Sequence, residues 1–317
     1  MEIMTAVGLI ITFLAIGALV VEFARHHKTR LPAYGFAGLI GLLAAEWFML
    51  RGLEPVAVYF TPIAWTCYIL LADAAVFAIR GHSRIHDQPK QFAGVVLLSI
   101  PLWLIFEAYN LRLKNWIYTG VPQPLLLALL GYGWSFATIT PGIFETADLI
   151  ESFGWFGPAI RVTFSRAVHW TFIVFGAFCL LLPLVTPQPI AARLFVLVWV
   201  GFVFLLDPIN NRMGLPSFLA DLANGRCSRL GSLFASGFVC GWLWEFWNYW
   251  AAAKWHYIFP VFQQWKIFEM PIPGYLGFLP FALECFVMYV TAARLLRLPM
   301  AAAGQPSTSR TLEETGD

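Results

Sequence analysis

Two stretches place acids where a bilayer disfavours them. "WLIFEAYNLRLKNWIY" (103–118) and "WLWEFWNYWAAAKWHY" (242–257) each set a glutamate, and an asparagine three residues on, in an apolar run that closes on Trp-x-Tyr. Glu107 and Asn110 match Glu245 and Asn248 at an offset of 138, and Trp116 and Tyr118 match Trp255 and Tyr257 at 139. The same offset of 139 relates Pro141 and Glu145 to Pro280 and Glu284, and an offset of 134 relates Asp73 and Ser83 to Asp207 and Ser217.

On insertion scales an acid at mid-bilayer costs about 2.5–3.5 kcal/mol, and such residues face a bundle interior. Carboxyls in an apolar site resist ionisation, and a neutral carboxylic acid can protonate a hydrocarbon double bond. The resulting cation needs stabilisation without a nucleophile, which aromatic faces supply. Glu107, Glu145, Glu245 and Glu284 are thus candidate catalytic acids and bases, expected as one cluster from mid-membrane outward. Asn110, Asn248, Trp116, Tyr118, Trp247, Trp255 and Tyr257 are the candidate substrate-binding residues.

Blander readings stand beside this one. Glu and Asn at i and i+3 share a helix face, so two Glu–Asn pairs could form a polar seam, each amide donating to a carboxylate of the other copy. Part of the aromatic crowd belongs to an interface belt. Asp73/Ser83 and Asp207/Ser217 read as helix-end capping. Glu46 is a possible fifth buried acid, and His169 a packing residue.

The elements that must position these residues are membrane helices. The chain is 59% hydrophobic and 12% charged over 317 residues, with a mean hydropathy of +0.71. Soluble domains carry about 25% charged residues. The fold expected is an all-α integral membrane protein of about nine transmembrane helices, near 4–24, 34–52, 56–79, 92–113, 130–152, 166–186, 190–210, 229–250 and 274–297. The segment 121–131 reads as interfacial or re-entrant. The matched positions define two parallel three-helix repeats, 55–152 and 190–297, related by a pseudo-twofold axis along the membrane normal. Helices in 1–54 and a linking span in 153–189 stand outside the repeat, and 298–317 is expected to be disordered.

Of the 20 Lys and Arg residues, most fall on the side holding the C-terminus. The positive-inside rule then sets the N-terminus outside and the C-terminus in the cytoplasm, in a bacterial-type inner membrane. The first span lacks a basic region before it and should remain as a helix. The net charge of +2 gives no ground for a nucleic-acid partner. The five cysteines show no paired spacing, and the histidines form no metal-ligand motif. Neither a phosphate loop nor a Gly-x-Ser-x-Gly elbow is present. No cofactor is expected. The partners expected are the bilayer and a lipophilic small molecule, with the oligomeric state open.

Tandem three-helix units, each with a polar helix, a Trp-x-Tyr segment and a helix bearing Pro and Glu, resemble the membrane lycopene cyclases of the bacterial heterodimeric and fungal fused type. The resemblance covers about 73–147 and 207–286. Where that family has Pro-x-Glu-Glu, this chain has Pro141-Gly-Ile-Phe-Glu145 and Pro280-Phe-Ala-Leu-Glu284. The resemblance implies proton-initiated cyclisation or isomerisation of a long isoprenoid or carotenoid-like lipid. It implies Glu145 and Glu284 as the principal acids, with Glu107 and Glu245 as their partners. The alternatives are a proton-coupled transporter of a small solute and a non-catalytic lipid-binding protein.

Overall fold

The structure, a computed structural model, describes residues 2–299. Met1 and residues 300–317, hence almost all of the tail expected to be disordered, lie outside the described residues.

Among the described residues nine long helices form the bundle: α1 (Glu2–His26), α2 (Ala33–Leu50), α3 (Phe60–Arg80), α5 (Pro89–Leu113), α6 (Leu125–Ser152), α7 (Arg166–Val185), α9 (Phe195–Arg212), α11 (Ser228–Trp250) and α12 (Tyr275–Leu295). Short helices α4 (Arg84–Asp87), α8 (Gln188–Ala191) and α10 (Phe218–Ala223) sit in the turns. Among the described residues, eight helices are long and apolar enough to cross a membrane. The ninth, α11, has the length, 23 residues, but its run of Ser, Gly, Glu and Asn lowers its hydropathy. Those residues are tolerable because α11 is packed between α6 and α12. The segment 121–131 is corrected: from Leu125 it forms the opening turns of α6, a continuous helix of 28 residues.

Within each repeat the third helix packs on the other two, α6 on α3 and α5, and α12 on α9 and α11. Across the repeats α11 packs on α6 and α12 on α5, with α6 and α12 meeting through Phe144 and Tyr289 at 5.4 Å between ring centroids.

The repeat is also longer than three helices. α2 packs on α3, and α7 packs on α9 in the same way. A Cβ on Gly38 would lie 2.6 Å from Cys67 O and 3.0 Å from Leu71 N. A Cβ on Gly176 would lie 2.7 Å from Gly201 O and collide with Leu205 N. Cys67 and Leu71 match Gly201 and Leu205 at the offset of 134. Both crossings therefore use a glycine to bring two backbones together, as membrane helices commonly do. Assigning α2 and α7 to positions outside the repeat is corrected: they are its first helices, and among the long helices of the described residues α1 alone has no counterpart.

At one end of the bundle the two Trp-x-Tyr motifs form strands β1 (Trp116–Thr119) and β2 (Lys254–Tyr257), paired antiparallel with Trp116 opposite Tyr257 and Tyr118 opposite Trp255. Equivalent strands that pair this way are related by a twofold axis through the ribbon. A second pair, β3 (Lys266–Ile267) and β4 (Met270–Pro271), adjoins it, with α1 packed on β3.

At the opposite end α3 and α9 each cap the short helix that follows, α4 and α10. Asp73 accepts hydrogen bonds from Ser83 Oγ and from Ile85 N, both at 2.8 Å. Asp207 accepts from Phe218 N at 2.7 Å and Leu219 N at 3.0 Å. The capping reading of the Asp-x9-Ser motif is what the backbone does: exposed N–H groups at a helix start are satisfied by a carboxylate.

Candidate functional site

Beneath the ribbon, on the pseudo-twofold axis, lies a cavity of about 160 Å³. One water needs about 10–15 Å³, so the space is many times larger than a single solvent molecule requires. Its wall includes six indoles, Trp65, Trp103, Trp116, Trp199, Trp244 and Trp255, with Tyr118 and Tyr257 from the ribbon. Matched positions of both repeats contribute: Trp65 with Trp199, Phe106 with Trp244, Trp116 with Trp255, Tyr118 with Tyr257.

Each ribbon tyrosine is tied to the glutamate of its own repeat. Tyr118 Oη donates to Glu107 Oε1 at 2.5 Å, and that oxygen also accepts from Trp103 Nε1 at 2.9 Å and Trp116 Nε1 at 3.3 Å. Tyr257 Oη donates to Glu245 Oε1 at 2.9 Å, while Glu245 Oε2 is buried without a partner. Burial, and then the adjacent carboxylate of Glu107, push the Tyr118 phenol well above its usual range. Burial and then Glu245 do the same to Tyr257.

The two asparagines face elsewhere. Asn110 Nδ2 donates to Trp116 O at 2.9 Å and its Oδ1 accepts from Asn115 N at 2.8 Å. Asn248 Nδ2 donates to Trp255 O, and its Oδ1 accepts from Trp255 N, both at 2.9 Å. Neither lines the cavity. The expectation that they hold substrate, or donate to a carboxylate of the other copy, is corrected. A strand leaving a helix end has backbone groups to satisfy, and these amides satisfy them, aiming each Trp-x-Tyr at the cavity.

Glu145 and Glu284, from the Pro-bearing helices, also lie off the cavity wall. Glu284 Oε1 accepts from Phe202 N at 3.2 Å, and its other oxygen has no hydrogen-bond partner. Glu145 is fully buried, with neither oxygen hydrogen-bonded, 4.0 Å from Arg84 Nε and beside Asp73 and Asp148. Arg84 reaches Asp148 through two bonds, at 2.6 and 3.1 Å. Burial opposes the Arg84 charge, but Asp148 and then Glu145 outweigh it and hold the guanidinium above its ordinary pKa. Among the described residues no hydrogen bond or ion pair joins any two of the four glutamates, so the single carboxyl cluster expected is replaced by two Tyr–Glu pairs at the cavity and two separate acids deeper in the bundle.

Trp247 packs against Trp65 and Tyr68, and its Nε1 donates to Glu46 Oε1 at 3.1 Å, which gives that acid its partner. His169 is held between Ser165 O and the Asn211 amide, both at 2.9 Å. Among the described residues no group of His, Cys, Asp or Glu is arranged to hold a metal ion.

Sequence reasoning missed three participants. Trp103 supplies an indole donor to Glu107 from one helical turn before it, a spacing readable in "WLIFE". Arg84 and Asp148 are far apart in sequence, and nothing there announces their pairing.

No family model, curated protein or solved structure matches the chain.

Proposed function

We propose that this integral membrane protein is an enzyme that binds one end of a long isoprenoid-like polyene in the shared cavity and rearranges it by proton transfer, the cyclisation or isomerisation chemistry of the lycopene cyclases it resembles. The observation that supports this most is that two tyrosines on a wall rich in aromatic residues, Tyr118 and Tyr257, are each backed by a glutamate that lies behind the wall. At the donating pair the glutamate is protonated and the phenol hydrogen turns from it toward the substrate, so that the carboxyl proton passes to the tyrosine oxygen as the phenol proton passes to an alkene carbon. The alkene π pair becomes the new C–H bond, and a carbocation remains. A second π pair of the chain closes the ring, or none does, and loss of a proton to the other Tyr–Glu pair restores the charge. Glu107, whose Oε1 collects three donors, suits the accepting role. Glu245, with one donor and one unpartnered oxygen, suits the donating role. The indole faces shield the cation. In this reading the ribbon faces outward and the basic end faces the cytoplasm of a bacterial-type inner membrane.

The test is turnover in deuterium oxide. Purified protein in vesicles, supplied with lycopene, should give products carrying one deuterium for each protonation. Recovery of unlabelled, unchanged polyene would reject the proposal.

One observation favours a second reading, a proton-coupled carrier: Glu145 is buried between Asp73, Asp148 and Arg84 toward the basic end. Solute uptake driven by a proton gradient and abolished by Glu145→Gln would support that reading over the first.

A further inference from the structure

The cavity lies on a twofold axis, yet the two repeats do not fill it alike. At Thr61, on the first turn of α3, repeat 1 has a small side chain where repeat 2 has Phe195. At Ile139 on α6, repeat 2 has Phe278 on α12. At the offset of 139 from Gly131, repeat 2 has the buried Met270, which reaches the cavity from strand β4 rather than from a helix. The order reverses where Tyr132 stands opposite Pro271, Ser135 opposite Gly274 and Trp103 opposite Gly241. The room at Gly241 is taken too: a Cβ there would collide with the Phe278 ring. Most lining residues come from segments 58–62, 103–118 and 121–139 of repeat 1. Its rim residues Tyr59, Gly131 and Tyr132 are only half-buried, next to lipid-facing leucines at 125–130. The Thr61 hydroxyl there has no hydrogen-bond partner.

We infer that the ligand chain lies in the half of the cavity built by repeat 1, admitted from the bilayer between the first turns of α3 and α6, while the side chains of repeat 2 fill the symmetry-related half. The consequence for specificity is that one end of one apolar chain is held at a time. Thr61, Gly131 and Ile139 set the width of the space it occupies. This deepens the functional proposal and rests on the same cavity, but it concerns where a chain binds, not what happens to it.

A geranylgeranyl chain carrying a diazirine, photolysed with the full-length protein in vesicles, tests it without turnover. Adducts should map to 58–62 and 128–139 in preference to 195–199 and 270–281. Gly131→Met should cut the labelling about tenfold, the scale on which a pocket loses affinity when its room is taken. Phe278→Ile, which opens the other half, should add adducts at 195–199. Unchanged elution on size exclusion and unchanged tryptophan emission would establish that the variants are folded. Equal labelling of both halves, or labelling of the lipid-facing surface alone, would overturn the inference. One-sided labelling by a protein that turns over no polyene would leave the inference standing and remove the enzymatic reading.

Discussion

Repeat 1 and repeat 2 share a scaffold and differ in what they bury. Both cap a short helix with an aspartate, both hold a Trp-x-Tyr strand with an asparagine, and both tie that tyrosine to a glutamate. The Pro-bearing helices α6 and α12 diverge. Glu145 sits beside an Arg84–Asp148 pair, whereas the positions equivalent to Arg84 and Asp148 in repeat 2 are Phe218 and Val287. Phe218 packs on Phe286 at 5.1 Å between centroids, so an apolar contact stands where repeat 1 has charges. Space follows the same division: repeat 1 leaves room in the cavity and repeat 2 fills it. A duplicated unit thus keeps the hydrogen bonds that build the frame in both copies but places its Arg–Asp pairs differently, Arg84 with Asp148 in repeat 1 and Arg226 and Arg229 with Asp221 in repeat 2.

The largest expected effect tests the charged side of that contrast. Arg84→Phe alone leaves Asp148 and Glu145 buried without a cation, a loss of about 3–5 kcal/mol. Adding Asp148→Val imports the pair found in repeat 2 and should recover much of the loss. Denaturation midpoints of the two singles and the double in detergent measure the coupling. A double variant no better than the singles would mean that the two repeats are not interchangeable there.

The Tyr–Glu pairs give an intermediate effect. Removing a hydrogen bond to a carboxyl costs about 1.5–3 kcal/mol. After Tyr118→Phe, Glu107 keeps its indole donors, while after Tyr257→Phe, Glu245 Oε1 keeps no hydrogen-bond partner, so the second variant should be the less stable. The phenols also set a pH window. Their pKa values are raised in the folded state above the ordinary 10.0. The stability they contribute is full below pH 10 and is lost as pH rises through their folded values. A pH titration of the denaturation midpoint should show an alkaline fall that shrinks in the double Tyr→Phe variant.

The smallest effect belongs to the caps. Asp207→Ala should cost about 1 kcal/mol, the usual scale of a lost N-cap. Asp73→Ala should cost more, because Asp73 also accepts from Tyr34 Oη at 2.6 Å and from Ser83. Equal midpoints for the two would show that those extra bonds carry no net stability.

Much of this frame was legible in the sequence. Apolar windows located the nine helices, and the recurrence of acid, amide and aromatic residues located most of the repeat. That α2 and α7 belong to the repeat was not legible, because their shared signature is one glycine at a backbone crossing, Gly38 and Gly176, in otherwise plain apolar runs. The ribbon escaped notice because strands of four residues leave no periodicity to read. The partners of the acids were less legible than the acids themselves. A buried carboxyl announces itself by its cost, but whether it meets Tyr118, Arg84 or a backbone N–H depends on how distant segments meet.

Identification of the lipid that stays with the protein through purification, by native mass spectrometry, tests the central claim most directly. The account predicts one long unsaturated apolar chain per protein, displaced in Gly131→Met. A protein that carries no lipid, or only phospholipids unaffected by that substitution, would contradict it.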